Sequence, residues 1–230
     1  MSEAEKKIFE TDEKDYLPVF NRYKIVLDHG EGVYVWDVAG RKYLDFLGGI
    51  AVNVLGHHYP PLVEAIASQA AKIIHASNLY YTKPQADAAA KLTALSGLGK
   101  VFFCNSGAEA NEGAIKIARK YACQIHPGKS QILTAWDSFH GRTLATLTAT
   151  GQPKYHEGLG PLPAGFDYIR YNDIADLEAK ISDKTAAVML ETIQGEGGVY
   201  PPEDHYLKKV RALCDQHGAL LILDEIQAGI

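Results

Sequence analysis

The stretch with the most evident chemistry lies at the end of this 230-residue chain, "ALLILDEIQAGI", where five apolar residues, Ala219 to Leu223, run into two adjacent carboxylates, Asp224 and Glu225. A carboxylate at the tip of a buried strand is costly unless something positive meets it. An arginine would serve, and so would the protonated ring nitrogen of a bound molecule. Three further stretches carry residues of related use. In "NSGAEANEGAIKIARKY", Ser106 and Glu109 have capping-box spacing and Gly107 allows a tight turn, so the first free N–H groups of a helix would form a phosphate cup. An ordinary capped strand-to-helix junction has the same pattern. "DSFHGRT" offers Phe139 as a stacking face and Arg142 as a planar fork for a carboxylate, although core packing and a solvated surface are the commoner uses of these residues. "TIQGEGG" sets Glu196 among glycines that loosen the backbone around it.

Each of these stretches follows a short apolar run. From Lys100 onward, "KVFFC", "SQILTAW", "FDYIRY", "AAVMLE" and "ALLIL" read as strands separated by helix-length amphipathic segments. One helix would place Ala114, Ile117, Ala118 and Tyr121 on one face. Another would line Leu207, Val210, Leu213 and Cys214 along one side and stop at Gly218. Alternating strands and helices imply an α/β class with a mostly parallel sheet covered on both faces, and ligands in such sheets bind beyond the carboxyl ends of the strands. Upstream, "GVYVWDVAGRKYLDF" reads as a hairpin broken at Ala39-Gly40. Helical spacing follows at Leu62, Ile66 and Ile73, and a helix begins near Pro84 with Thr82 and Gln85 in capping-box relation. The organisation expected is an N-terminal segment over residues 1–60 and an α/β domain over 61–230.

Composition narrows the function classes. The chain is 47% hydrophobic and 22% charged, and its 23 basic and 28 acidic side chains give a formal charge of −5, which recommends small-molecule chemistry over a polyanionic partner such as nucleic acid. Cys104, Cys123 and Cys214 form no CxxC pair and read as reduced, core-filling thiols of a cytoplasmic protein. The charged first fifteen residues hold no apolar core of a signal peptide or membrane anchor and read as a solvated or fraying terminus. "PGKS" has Cys123 where a P-loop needs glycine, and "GEGGVY" has Tyr200 where a dinucleotide fingerprint needs its last glycine, so neither is a nucleotide site. His57, His58 and His140 offer no helix-spaced or Cys-paired ligand set, and no metal is expected.

A phosphate cup, an aromatic face, a carboxylate-reading arginine and an acid at neighbouring strand ends match pyridoxal 5′-phosphate part by part, because that cofactor works as an electron sink when an acid keeps its ring nitrogen charged. At this point a resemblance emerges. "NSGAEANEGAIKIARKY", "SFHGRTLATLTATG", "ETIQGEGGVYPP" and "LLILDEIQAGI" resemble successive motifs of the class III, fold type I pyridoxal phosphate aminotransferases. "GVYVWDVAGRKYLDFLGGIAVNVLGHHYP" and "HASNLYY" resemble the N-terminal portion of the same group, especially acetylornithine aminotransferases, so the likeness runs from about Tyr16 to the last residue.

The resemblance implies a fold type I large domain, incomplete here and preceded by an N-terminal part of the small domain. It implies that Gly107 and Ala108 bind the cofactor phosphate through their N–H groups with Ser106 capping, that Phe139 lies over the pyridine ring, and that Arg142 receives the substrate α-carboxylate. Asp224 would pair with the ring nitrogen, Gln227 would reach the phenolic oxygen, and Glu196 would answer to an arginine that lets one pocket take both an ω-amine and an α-amino acid. The implied reaction moves an amine from N-acetylornithine to 2-oxoglutarate in the cytoplasm, as a step of arginine biosynthesis, in a homodimer. The family's Schiff-base lysine lies downstream of the "DEIQ" motif, so it is expected beyond Ile230. Lys100, Lys116, Lys129 and Lys154 do not match its context. The chain is therefore expected to be the front part of a longer enzyme and inactive by itself. A noncatalytic binding or dimerisation module is the alternative, as is an aminotransferase for ornithine, succinylornithine or 4-aminobutyrate.

Overall fold

A computed structural model of the chain describes residues 2–229. It has two compact units, one running to Ala90 and the other from Lys91. The first opens with α1 (Glu3–Asp15), where a fraying terminus was expected. The signal for this helix is the Ser2-to-Glu5 spacing. Ser2 Oγ accepts from Glu5 N at 3.2 Å and Glu5 Oε2 accepts from Ser2 N at 2.6 Å, a complete capping box that satisfies orphan donors of the first turn. Strands β1 (Leu27–Glu31), β2 (Tyr34–Asp37) and β3 (Lys42–Leu44) form an antiparallel sheet in chain order, with the expected break between β2 and β3. A single irregular turn, α2 (Gly48–Ala51), follows. The next helix, α3 (Pro60–Ala70), ends before Ile73, and α4 (Lys83–Ser96) has Pro84 in its first turn, where the missing N–H costs little.

The second unit takes in the end of α4 from Lys91 and then α5 (Gly107–Ile125). It continues through β4 (Gln131–Ala135), α6 (Leu144–Ala149), β5 (Phe166–Ile169), α7 (Ile174–Lys180), β6 (Thr185–Glu191), α8 (Tyr206–His217) and β7 (Leu220–Asp224). The four strands are all parallel, in the order β5-β4-β6-β7. Strand β6 lies inside the sheet and is buried at every position, which is why "TAAVMLE" is a continuous apolar run and not an alternating one. Its side chains still divide by face. Val188 and Leu190 join Leu133, Leu177, Val210 and Cys214 in one cluster, while Ala187 and Met189 join Ile115, Ala118, Ala122 and Ile132 in the other. Gly218 ends α8 in the left-handed region at φ 59°, as expected of a C-terminal glycine. Buried Lys129 donates to the His217 carbonyl at 2.6 Å, closing the same helix end from the amino-terminal side of the sheet.

Several expectations are corrected. Residues 101–104 of "KVFFC" form no strand, and Phe102 and Phe103 are exposed. A strand exists only with a partner, and among the described residues none pairs with it. Strand β7 is an edge strand, only half-buried along "LLI", although Asp224 at its tip is buried. The buried stripe of α5 is Asn111, Ile115, Ala118 and Ala122, with Ile117 and Tyr121 exposed; the helix is apolar on two sides, and small alanines are what lets it lie close on the sheet. Cys214 fills core, whereas Cys104 lies in the unpaired loop and Cys123 sits off the buried stripe, both exposed.

Candidate active site

The carboxyl ends of β4, β6 and β7 and the amino end of α5 converge, as an open parallel sheet requires. Ser106, in extended conformation, accepts from Glu109 N at 3.2 Å. The other half of the expected capping box is displaced by one residue: the Glu109 carboxylate accepts from the backbone and side-chain nitrogens of Asn105, at 2.6 and 2.9 Å. The N–H groups of Gly107 and Ala108 have no acceptor among the described residues, and they stand at the positive end of a 19-residue helix. Neighbours close in around this turn. A Cβ on Gly107 would lie 2.6 Å from Ile226 Cγ2, and one on Gly141 would lie 2.8 Å from Ala108 Cβ, so the loop after β4 and the segment after β7 both rest against the first turn of α5. Gly141, at φ 132°, has a backbone and a clearance that only glycine tolerates.

Asp224 is 8% exposed, and among the described residues no arginine meets it. Its Oδ2 accepts from Asn111 Nδ2 at 2.7 Å and lies 2.8 Å from His140 Nδ1, while among the described residues its Oδ1 accepts only the Ile226 N–H, at 3.1 Å. Asn111 also donates to the His140 carbonyl at 2.8 Å, tying three chain segments together. Burial alone would raise the Asp224 pKa; the His140 contact, the Ile226 N–H and Asn111 more than offset it and hold the carboxyl below its ordinary value. An ionised acid therefore sits at the site with one oxygen oriented by side chains and the other in a single backbone bond. Asn111 is one turn into α5, so the acid lies roughly 6 Å along the helix axis from the Gly107 cup.

The next strand end carries a second buried acid. Glu191 is paired in register with Asp224, and its two oxygens accept from the N–H groups of Phe139 and Gly195, each at 3.2 Å. Burial is the main cause that pushes its pKa up, with the charge of Asp224 adding to it.

Phe139 is half-buried and packs edge-on against Tyr155 at 6.3 Å. Arg142 is exposed, its guanidinium 4.4 Å from the centre of the Tyr155 ring and 5.6 Å from that of Phe139, and it enters no ion pair among the described residues. Gln227 is exposed and lies directly against Gly195, where a Cβ would collide with its Oε1. Glu196 is exposed in the same turn and has no ion-pair partner among the described residues. The structure thus groups Gly107, Ala108, Ile226 and Gly141 at one side and Asp224, His140, Asn111 and Glu191 at the other, with Phe139 attached to the second group through Glu191.

Reading the sequence missed Asn111, His140 and Glu191. His140 was weighed only as a metal ligand. Asn111, a polar residue on the alanine-rich buried stripe of α5, and Glu191, a charge closing an apolar run, were the available signals. Among the described residues no cluster of three or more His, Cys, Asp or Glu could hold a metal ion, and no helix is long and apolar enough to cross a membrane.

A family model described as aminotransferase class-III matches residues 18–230. The acetylornithine aminotransferase of Methanocaldococcus jannaschii is 53% identical over 220 residues, covering 95% of this chain and 55% of that protein. The N-acetylornithine aminotransferase from Stenotrophomonas maltophilia K279a superposes with a TM-score of 0.79 at 44% identity, over 96% of this chain and 54% of that one. An ornithine aminotransferase from Toxoplasma gondii, whose structure has PLP at partial occupancy in the active site, superposes with a TM-score of 0.91 at 32% identity, over 97% of this chain and 54% of that one. The chain spans about half the length of the relatives it matches. With that span of sequence and that superposition, the chain belongs to the class-III aminotransferases and carries part of the fold type I architecture.

Proposed function

We propose that this chain is the front part of an acetylornithine aminotransferase that uses pyridoxal phosphate and passes the amine of N-acetylornithine to 2-oxoglutarate. The observation that carries the reading is Asp224, a buried carboxylate held ionised by an imidazole, a backbone N–H and an amide, one helical turn from N–H groups that have no acceptor among the described residues. These residues fit the cofactor. The cup at Gly107 and Ala108 suits a phosphate, with Ser106 capping; Asp224 suits a protonated ring nitrogen; Phe139 suits the ring face; and Gln227, braced by Gly195, suits the phenolic oxygen. When bound, pyridoxal phosphate supplies a sink for the negative charge left on the donor carbon after its proton is removed.

The chain's own residues hold and orient. Asp224 would hold a positive charge at the ring nitrogen, and Asn111 and His140 keep Asp224 from turning away. Arg142, exposed and free of ion pairs among the described residues, would take a substrate carboxylate as a two-pronged donor. Glu196, in the glycine turn after β6, would neutralise an arginine when no substrate carboxylate is present. The proton-transferring lysine would come from sequence beyond Ile230, so the chain alone is expected to give no transaminase turnover. In the complete molecule, residues 1–60 would belong to the small domain and 61–230 to the large domain. That molecule would be a cytoplasmic homodimer.

The test is a titration with pyridoxamine 5′-phosphate, which has the phosphate and ring nitrogen but no aldehyde to react with surface lysines. Saturable binding that disappears in Asp224→Ala is the expected result; binding unchanged by that substitution would refute the reading. A noncatalytic dimerisation module is the second reading, favoured by the exposed Ile117, Tyr121, Phe102 and Leu223. It predicts concentration-dependent self-association without ligand binding.

A further inference from the structure

Glu191 is the buried group that the proposed mechanism leaves without a role. It is 8% exposed and stands beside another acid, and no lysine or arginine pairs with it among the described residues. Burying such a charge is unfavourable, so its retention calls for a reason. Its bonding supplies one: Oε2 is used by the Phe139 N–H and Oε1 by the Gly195 N–H, both at 3.2 Å. These donors belong to different loops, the one after β4 and the glycine turn after β6. The first carries the aromatic face. The second is the surface on which Gln227 rests. A carboxylate is the side chain that accepts on both prongs; glutamine, of the same shape, accepts on one and presents N–H to N–H on the other.

We propose that Glu191 is a positioning residue that clamps these two loops together and thereby sets the ring face at Phe139 and the brace behind Gln227. The inference rests on the cofactor reading given above. In Glu191→Gln one of the two loops is released while the phosphate cup and Asp224 stay in place.

Two measurements test it. Amide hydrogen exchange, read without any ligand, is expected to show both Phe139 and Gly195 protected in the unsubstituted chain and at least one of them exposed in Glu191→Gln, with the strands of the sheet unchanged. Titration with pyridoxamine 5′-phosphate is expected to show affinity weakened roughly tenfold in Glu191→Gln, the size of one lost buried charged hydrogen bond, together with loss of most of the induced circular dichroism that reports a fixed ring orientation. A purely structural role would move the melting temperature and leave the induced signal of the bound ligand intact. Protection of both amides in Glu191→Gln, or unaltered affinity and induced signal, overturns the proposal. Failure of the unsubstituted chain to bind overturns the cofactor reading and the ring-setting role with it, and the exchange result still decides whether the clamp itself exists.

Discussion

The chain buries carboxylates in two places and treats them in opposite ways. In the first unit, Arg41 bridges Asp37 and Glu5, at 2.6 and 2.7 Å, while Tyr43 and two backbone N–H groups complete the shell of Asp37. In the second, Asp224 and Glu191 lie side by side, bonded among the described residues to an imidazole, an amide and backbone N–H groups. The first arrangement carries its own permanent cation and needs nothing more, so it is a strut between α1 and the hairpin. The second lacks a lysine or arginine among the described residues, and on the function proposed above its acid would take a cation brought by a ligand. A buried acid with a guanidinium is evidence for architecture; one without is evidence for a site.

The sharpest way to break this contrast is Asp224→Ala. Truncating one partner of a buried charged pair costs about 2–5 kcal/mol, so affinity for pyridoxamine 5′-phosphate should fall by at least roughly thirtyfold, read by fluorescence titration, while the helical circular dichroism persists. Arg41→Met should do the reverse. It strands Asp37 and Glu5 without a cation, so the amide signals of α1 should broaden or move to unfolded positions in NMR spectra, with ligand affinity unchanged.

Acid separates the two clusters further. Tyr43, Arg41 and backbone donors overcome the effect of burial and lower the Asp37 pKa from 3.8 to about 2. A depressed carboxyl stabilises the fold above its unfolded value and loses that contribution as pH falls through the folded one. The α1 signals should therefore survive below pH 3.8 and fade toward 2, and Tyr43→Phe should shift the fading to higher pH. Glu191 has the opposite sign: its pKa is raised above 4.5, so its ionisation weakens the fold as pH climbs through the raised value.

Smaller effects refine the picture of the site. Gly195→Ala drives a methyl into Gln227 Oε1, but Gln227 is exposed and free to swing aside. Stability should stay within about 0.5 kcal/mol, and ligand affinity should drop by no more than roughly tenfold, the worth of one hydrogen bond. Ser106→Ala removes the cap on Glu109 N and should lower stability by about 1 kcal/mol in denaturant unfolding.

Much of this was readable before any coordinates. Four of the five strand runs, the helix ending at Gly218 and the cap at Ser106 are local patterns that reappear where their residues predicted them. The misreadings share one cause, which is competition between local pattern and partners. "KVFFC" has strand composition but no neighbour among the described residues. The buried face of α5 is Asn111, Ile115, Ala118 and Ala122 and not the predicted one, because the helix is apolar on two sides and contact with the sheet decides between them.

What the sequence determined by itself was the alternation of strands and helices from β4 to β7, the parallel α/β class and the placing of reactive residue types after β4, β6 and β7, because backbone geometry repeats every two or 3.6 residues and glycine marks its interruptions. The tertiary structure decided what meets the final aspartate. His140 and Asn111 lie 84 and 113 positions from it in the chain, and such contacts leave no periodic trace in the sequence. They exist only because the sheet brings the ends of separate strands and the start of α5 to one edge, where a buried charge must take whichever partners the fold delivers.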